Sequence, residues 1–149
     1  MKAFLSFNPA NLQGVSPCPP SDEIVRKTKQ RDAIQEVFER TDRPLSPDEV
    51  HEEASRSIPG LGIATVYRNI KSLLEGGVIR AVEIPGASAR YELAGMDHHH
   101  HFQCNDCEKV YDIPGCPGNL DKMTPPGFEV SSHNITLYGK CPECKPEEQ

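Results

Sequence analysis

No stretch of the 149-residue chain approaches the ~20 consecutive apolar side chains of a membrane span, so an integral membrane helix is not expected. The first thirteen residues carry one lysine, and their apolar side chains are broken by Ser6, Asn8 and Pro9. They lack the continuous apolar stretch of a signal peptide, and the expected localisation is cytoplasmic. No glutamate stands in an H-E-x-x-H arrangement, and no other nucleophile–base motif is apparent, so an enzyme is not expected. A net positive charge is also lacking: the formal charge is −6. It is unevenly spread, with ten basic and eleven acidic residues over 22–82 but five and eleven over 83–149. The acidic excess sits where a bound cation would be welcome, and the near-neutral half carries the basic cluster Arg26, Lys27, Lys29 and Arg31. Nucleic-acid binding by that half is therefore permitted. Fourteen prolines and eleven glycines favour many short elements over long helices.

What the chain does contain is six cysteines, four of them in two C-x-x-C pairs, Cys104/Cys107 and Cys141/Cys144. Each such knuckle offers two thiolates from one tight turn, and two knuckles complete the tetrahedral set that structural zinc requires. Paired disulfides or redox-active turns would use the same residues. An intracellular setting argues against the first, and two knuckles without a single strand–helix redox unit argue against the second. With all four positions taken by sulfur, this zinc has no open site for catalysis, and it would staple a domain whose apolar core is small.

Residues 1–21, proline-rich from Pro17 to Pro20, read as a flexible arm in which Cys18 is an incidental thiol. From Asp22 to Arg40, Ala33, Ile34, Val37 and Phe38 recur at helical spacing. Ser46-Pro47-Asp48-Glu49 is a helix start: a serine cap, proline at the first position and glutamate at the third. That helix turns Val50 and Ala54 inward and ends before Pro59. A third helix runs from Ile63 to Glu75, with Val66, Ile70, Leu73 and Leu74 as its apolar stripe and Gly76-Gly77 as its stop. Val78–Ile84 and Ala89–Leu93 read as the strands of a hairpin. Three helices and a hairpin make a winged helix-turn-helix over 22–84, whose third helix would read the major groove through Thr65, Tyr67 and Arg68. Residues 85–149 then form a hinge strand and a small zinc-stapled α/β domain, with strand character at Lys109–Ile113 and Phe128–Leu137. The fold class is α+β.

Four consecutive histidines, His98 to His101, directly precede the first knuckle. In an extended segment successive side chains alternate, so His99 and His101 face one way and His98 and His100 the other. That geometry serves two different metal sites, with Glu92, Asp112 and His133 nearby as further donors. Imidazole and carboxylate suit iron, manganese, zinc or cobalt, and a packing role without any metal would use the same residues.

Together these segments resemble the ferric uptake regulator (Fur) superfamily of metal-dependent bacterial repressors. The resemblance is carried in order by Thr28-Lys29-Gln30-Arg31, by Gly62-Ile63-Ala64-Thr65-Val66-Tyr67-Arg68-Asn69 and by Arg90-Tyr91-Glu92. It continues through the run from His98 to Cys107 and through His133 to Cys141, covering roughly residues 22–145. It implies a homodimer that pairs through its C-terminal domains and binds a palindromic operator on double-stranded DNA. By position, Cys104, Cys107, Cys141 and Cys144 match the structural zinc ligands. Glu92, His99, His101 and Asp112 match a regulatory site near the hinge, and His98, His100 and His133 match an additional site. Tyr67 and Arg68 match the DNA-contacting pair, and Arg26 falls near a basic position that reaches the minor groove.

The chain also departs from the family pattern. Pro44 stands where many iron and peroxide sensors place a histidine ligand from the DNA-binding domain. Glu108 replaces the usual glycine after the first knuckle. The acidic ligand of the additional site is not evident around Cys116 and Asn119: either Asp121 serves, or Cys116 substitutes, or the site is vestigial. Tyr91-Glu92-Leu93 lacks the cysteine frequent in zinc-uptake regulators, which favours Fe2+ or Mn2+ over Zn2+ as the regulatory metal. The reading is a metal-dependent repressor. Its rivals are a peroxide sensor of the same superfamily and, from another class, a zinc metalloenzyme.

Overall fold

A computed structural model describes residues 21–145. The expected arm lies outside the described residues, Cys18 included, except for Ser21, which begins the first helix. Three helices come first: α1 (Ser21–Arg40), α2 (Pro47–Ser57) and α3 (Ile63–Glu75). Helix α2 starts where its cap demands. The Glu49 amide donates to Ser46 Oγ at 3.2 Å, and the Ser46 amide donates to Glu49 Oε2 at 2.9 Å. Such a reciprocal cap contributes about 1 kcal/mol and sets the entry angle of the helix.

The apolar stripes of the helices meet. Ile34, Val37 and Phe38 of α1, Val50 and Ala54 of α2, and Val66, Ile70 and Leu73 of α3 form one buried cluster with Leu45, Leu61 and Ile79. Each large aliphatic or aromatic side chain so buried contributes roughly 1.5–3 kcal/mol. Strands β1 (Ile79–Val82) and β2 (Arg90–Leu93) close over this core as an antiparallel pair, with Arg80 opposite Glu92. Both are shorter than expected, because pairing stops where Pro85 and Gly86 turn the chain. Strand β2, read as a hinge strand, pairs with β1 along its whole length, and Tyr91 also exchanges backbone hydrogen bonds with Leu45 at 2.8 and 2.9 Å. This is the element order expected of a winged helix.

The second sheet has the order β4-β3-β5. Strand β3 (His99–Cys104) pairs antiparallel with β4 (Val110–Pro114) and parallel with β5 (Thr136–Gly139). In β5, Gly139 is needed: a Cβ there would lie 3.0 Å from the Phe102 ring. The strand expected from Phe128 forms only from Thr136. Residues 128–134 follow Pro125-Pro126-Gly127 and, with the polar Ser131, Ser132 and Asn134, have no strand alongside to pair with.

Candidate metal centres and nucleic-acid interface

Three groups of donors come together, each with one ligand atom per residue and all four atoms within 4.8 Å of one another. The first unites the two knuckles. Cys104 ends β3 and Cys107 lies in the turn to β4, while Cys141 caps and Cys144 ends a 3-10 turn after β5. None of these four is in a disulfide. Cys107 Sγ and Cys141 Sγ are 3.8 Å apart, matching the ~3.8 Å edge of a tetrahedron with Zn–S bonds of ≈ 2.3 Å. Backbone amides of Cys107 and Cys141 point at Cys104 Sγ and lower that thiol to about 6, which favours the thiolate a metal would take. The Cys141 amide donates to it at 3.3 Å. Glu108, where the family pattern has glycine, adopts φ 58° and still completes the turn, its amide donating to the Cys104 carbonyl at 3.0 Å.

The second group is Glu92, His99, His101 and Asp112. Register explains it: His101 lies opposite Asp112 on β4, and His99 shares the His101 face. Strand β2 delivers Glu92 from the other sheet. Glu92 Oε2 is 3.3 Å from His101 Nε2, Glu92 Oε1 is 3.3 Å from His99 Nε2, and Asp112 Oδ1 lies 3.7 Å from the first of these nitrogens and 3.8 Å from the second. His99 Nδ1 is 2.7 Å from the Asp97 carbonyl. Donation there leaves Nε2 as the ligating atom, the usual outer-shell arrangement of a metal-bound imidazole. Burial pushes the Glu92 carboxyl up, but His101 and Arg80 outweigh it and hold the group below its ordinary range. Burial raises the Asp112 carboxyl, and Oδ1 is buried without a hydrogen-bond partner. An orphaned carboxylate oxygen facing two imidazole nitrogens fits a divalent cation.

Pro44 is buried and brings no donor to this cluster. The charged group that reaches it from the hairpin is Arg80, which the sequence reading missed. Its Nε donates to Glu92 Oε1 at 2.6 Å, and its Nη2 lies 3.5 Å from His99 Nε2. A four-residue turn at Pro85–Ser88 would set Arg80 opposite Leu93; the observed register, with Val82 opposite Arg90, sets it opposite Glu92 instead, so nothing local announced the contact. A second missed group is a buried ion network. Arg90 Nη1 donates to Glu49 Oε2 at 2.5 Å, Arg90 Nη2 donates to the Glu108 carbonyl at 2.6 Å, and Arg43 meets Glu49 Oε1 at 2.8 Å. It joins α2 to the first knuckle.

The third group is His98, His100, His133 and Cys116. It occupies the opposite face of β3. The side chain of Asp121 lies outside the described residues, and Asn119 is exposed with φ 50°.

On α3, Val66, Ile70 and Leu73 point into the core while Tyr67 and Arg68 are exposed. Arg68 Nη2 donates to Thr65 Oγ1 at 3.0 Å. Arg26, Lys27 and Gln30 of α1 share one shallow recess with Thr65, Arg68 and Asn69, so the basic cluster and the third helix form one surface. No helix among the described residues is long and apolar enough to cross a membrane.

Comparison with known proteins places this arrangement in a class of metal-dependent transcriptional regulators. The profile of the Ferric uptake regulator family matches residues 23–138, and the chain belongs to that family. It is 33% identical over 129 residues to the peroxide operon regulator of Bacillus subtilis, covering 83% of this chain and 87% of that protein. It is 30% identical over 125 residues to the ferric uptake regulation protein of Campylobacter jejuni, covering 80% of each. Among solved structures it is similar to the Helicobacter pylori ferric uptake regulator, a protein described with three functional metal binding sites. There the TM-score is 0.60 at 25% identity, over 85% of this chain and 91% of that one.

Proposed function

We propose that the protein is a homodimeric repressor that binds a palindromic operator when a divalent cation occupies the Glu92, His99, His101 and Asp112 cluster. The observation that carries this reading is the buried Asp112 Oδ1, without a hydrogen-bond partner and facing two imidazoles, joined by a carboxylate from the hairpin. Glu92 belongs to β2 and the other three donors to β3 and β4, so a bound cation ties the two sheets together. A cation that binds this closed arrangement better than an open one shifts the population toward it, and only by its differential affinity. It also cancels carboxylate charge near the DNA face. Thr65, Tyr67 and Arg68 read the major groove, and Arg26 binds backbone or minor groove. The cysteine cluster holds structural zinc and serves folding. The lack of a thiolate among the hinge donors favours Fe2+ or Mn2+ over Zn2+, and the four-cysteine set, which leaves its zinc no open position, speaks against a metalloenzyme. Copies pair through the second sheet, where β5 is an edge strand and Leu137, Tyr138 and Phe128 are exposed. Cytoplasmic residence follows from this role.

Pro44 favours reversible metal sensing over peroxide sensing, because no imidazole from the helical half bridges to the hinge cluster. The deciding experiment replaces His99 and His101 with alanine and measures operator binding with added Fe2+ or Mn2+, alongside zinc content and dimerisation. The variant is expected to lose metal stimulation while keeping the zinc of the cysteine knuckles and the dimer. Loss of zinc and dimer together with stimulation would refute the division of roles.

A further inference from the structure

The third cluster joins the three histidines that the family resemblance implies to a fourth donor, Cys116, that it does not. Strand β4 ends at Pro114, and Gly115, at φ 80°, turns the chain back so that Cys116 faces the His98 and His100 side of β3. Cys116 Sγ is 3.1 Å from His133 Nε2, and His133 Nε2 is 3.0 Å from His98 Nε2. The three imidazoles crowd together, with ring centroids 4.6, 4.7 and 5.0 Å apart. Tetrahedral zinc with bonds of about 2.0–2.1 Å to nitrogen and 2.3 Å to sulfur needs donor–donor edges of roughly 3.3–3.6 Å. The cluster is within a small adjustment of that shape.

An independent observation points to a ligand here. His100 is 2% exposed, and neither of its ring nitrogens has a hydrogen-bond partner. A buried imidazole unsatisfied at both nitrogens costs stability unless something accepts its lone pair, and its neighbours are two more imidazoles and a thiol. All four donor atoms lie within 4.8 Å of one another.

We propose that Cys116 is the fourth ligand of this site, giving three imidazoles and one thiolate, and that the site selects zinc over the harder iron and manganese cations. Sulfur and nitrogen donors without a carboxylate disfavour Mn2+, which prefers oxygen, whereas Zn2+ accepts thiolate and imidazole together in tetrahedral geometry. The protein therefore carries two metal sites of different preference on opposite faces of one strand. The inference rests on reading the paired histidine faces as metal sites.

The test uses the full chain with its cysteine knuckles already zinc-loaded, in the His99→Ala/His101→Ala background that removes the hinge site. Added Co2+ should fill one further site per chain and give tetrahedral d–d absorption with a sulfur-to-cobalt charge-transfer band. Zinc should displace it and equimolar Mn2+ should not. Cys116→Ser should abolish the sulfur band and weaken zinc binding at least about tenfold, the lower end of what losing even an outer-shell partner costs. His98→Ala should also weaken zinc while leaving the thiol in place. A sulfur band that persists in Cys116→Ser, competition by Mn2+ equal to that of zinc, loss of binding in Asp121→Asn but not in Cys116→Ser, or no uptake of cobalt would each overturn the proposal. Failure of the hinge reading shows separately, as metal-stimulated operator binding that survives the double-histidine substitution.

Discussion

Arg90→Met removes a charge from the largely buried ion network that joins α2 to the first knuckle. The Arg90 side chain is 5% exposed and that of Glu49 20%. Breaking a fully buried pair costs ~3–5 kcal/mol, chiefly because the surviving charge is stranded. Glu49 is not wholly stranded, since it keeps Arg43 at 2.8 Å and the Ser46 amide at 2.9 Å. The Glu108 carbonyl does lose its 2.6 Å donor. The expected loss is therefore about 2–3 kcal/mol, or roughly 6–12 °C in Tm for a chain of this size. Urea unfolding of zinc-loaded protein measures it, and Glu49→Gln in a double-mutant cycle isolates the pair, with a coupling of at least ~1 kcal/mol. The network also predicts a pH dependence. Burial pushes the Glu49 carboxyl up, but the Ser46 amide, Arg43 and Arg90 together hold it below its ordinary value of 4.5. A carboxylate depressed in the folded state stabilises above its unfolded pKa, and that stability is lost as pH falls through the folded one. Arg90→Met should flatten the acid limb of the stability profile below that ordinary value. A loss under ~0.5 kcal/mol, or strict additivity with Glu49→Gln, would refute the reasoning, because a buried pair cannot be both intact and uncoupled.

Other consequences follow from the sites. Cys104→Ser, or stringent chelation, should unfold the sheet of β3, β4 and β5, since structural zinc supplies about 10–16 kcal/mol in small zinc domains; loss of zinc with unchanged circular dichroism and dimer would contradict this. Tyr67→Ala should relax preference among operator sequences, whereas Arg26→Ala should weaken all of them and lower the salt slope by about one, with metal content unchanged in both; this is read by titrations at several salt concentrations. Arg80→Met should tighten Mn2+ binding at the hinge cluster about fivefold to tenfold. The half-exposed guanidinium competes for Glu92 through a single charge-assisted bond of ~1–1.5 kcal/mol, and weaker binding on calorimetry would show that Arg80 supports the site instead.

Features that a few neighbouring residues decide were legible in the chain itself. Ser46 to Glu49 determine where α2 begins, because a cap needs only four residues and their own backbone. Gly76-Gly77 ends α3 for a similarly local reason. The knuckle spacing determines that each cysteine pair shares a turn, and strand alternation divides His99 and His101 from His98 and His100, which fall into two separate clusters. Strand extent was less legible, because a β-strand exists only where another offers its edge: Phe128 to Ile135 has β character but no ladder. What the tertiary structure alone decided is which distant groups meet. Glu49 and Arg90 are 41 residues apart, and nothing in either segment announces the other. Arg80 reaches the hinge cluster because β1 lies beside β2. Cys116 joins His98, His100 and His133 because a glycine turn after β4 and the parallel register of β3 with β5 bring three separate segments to one face of the sheet. Local chemistry sets which side chains are fit to hold a metal; only chain topology, acting over tens of residues, sets which of them hold it together.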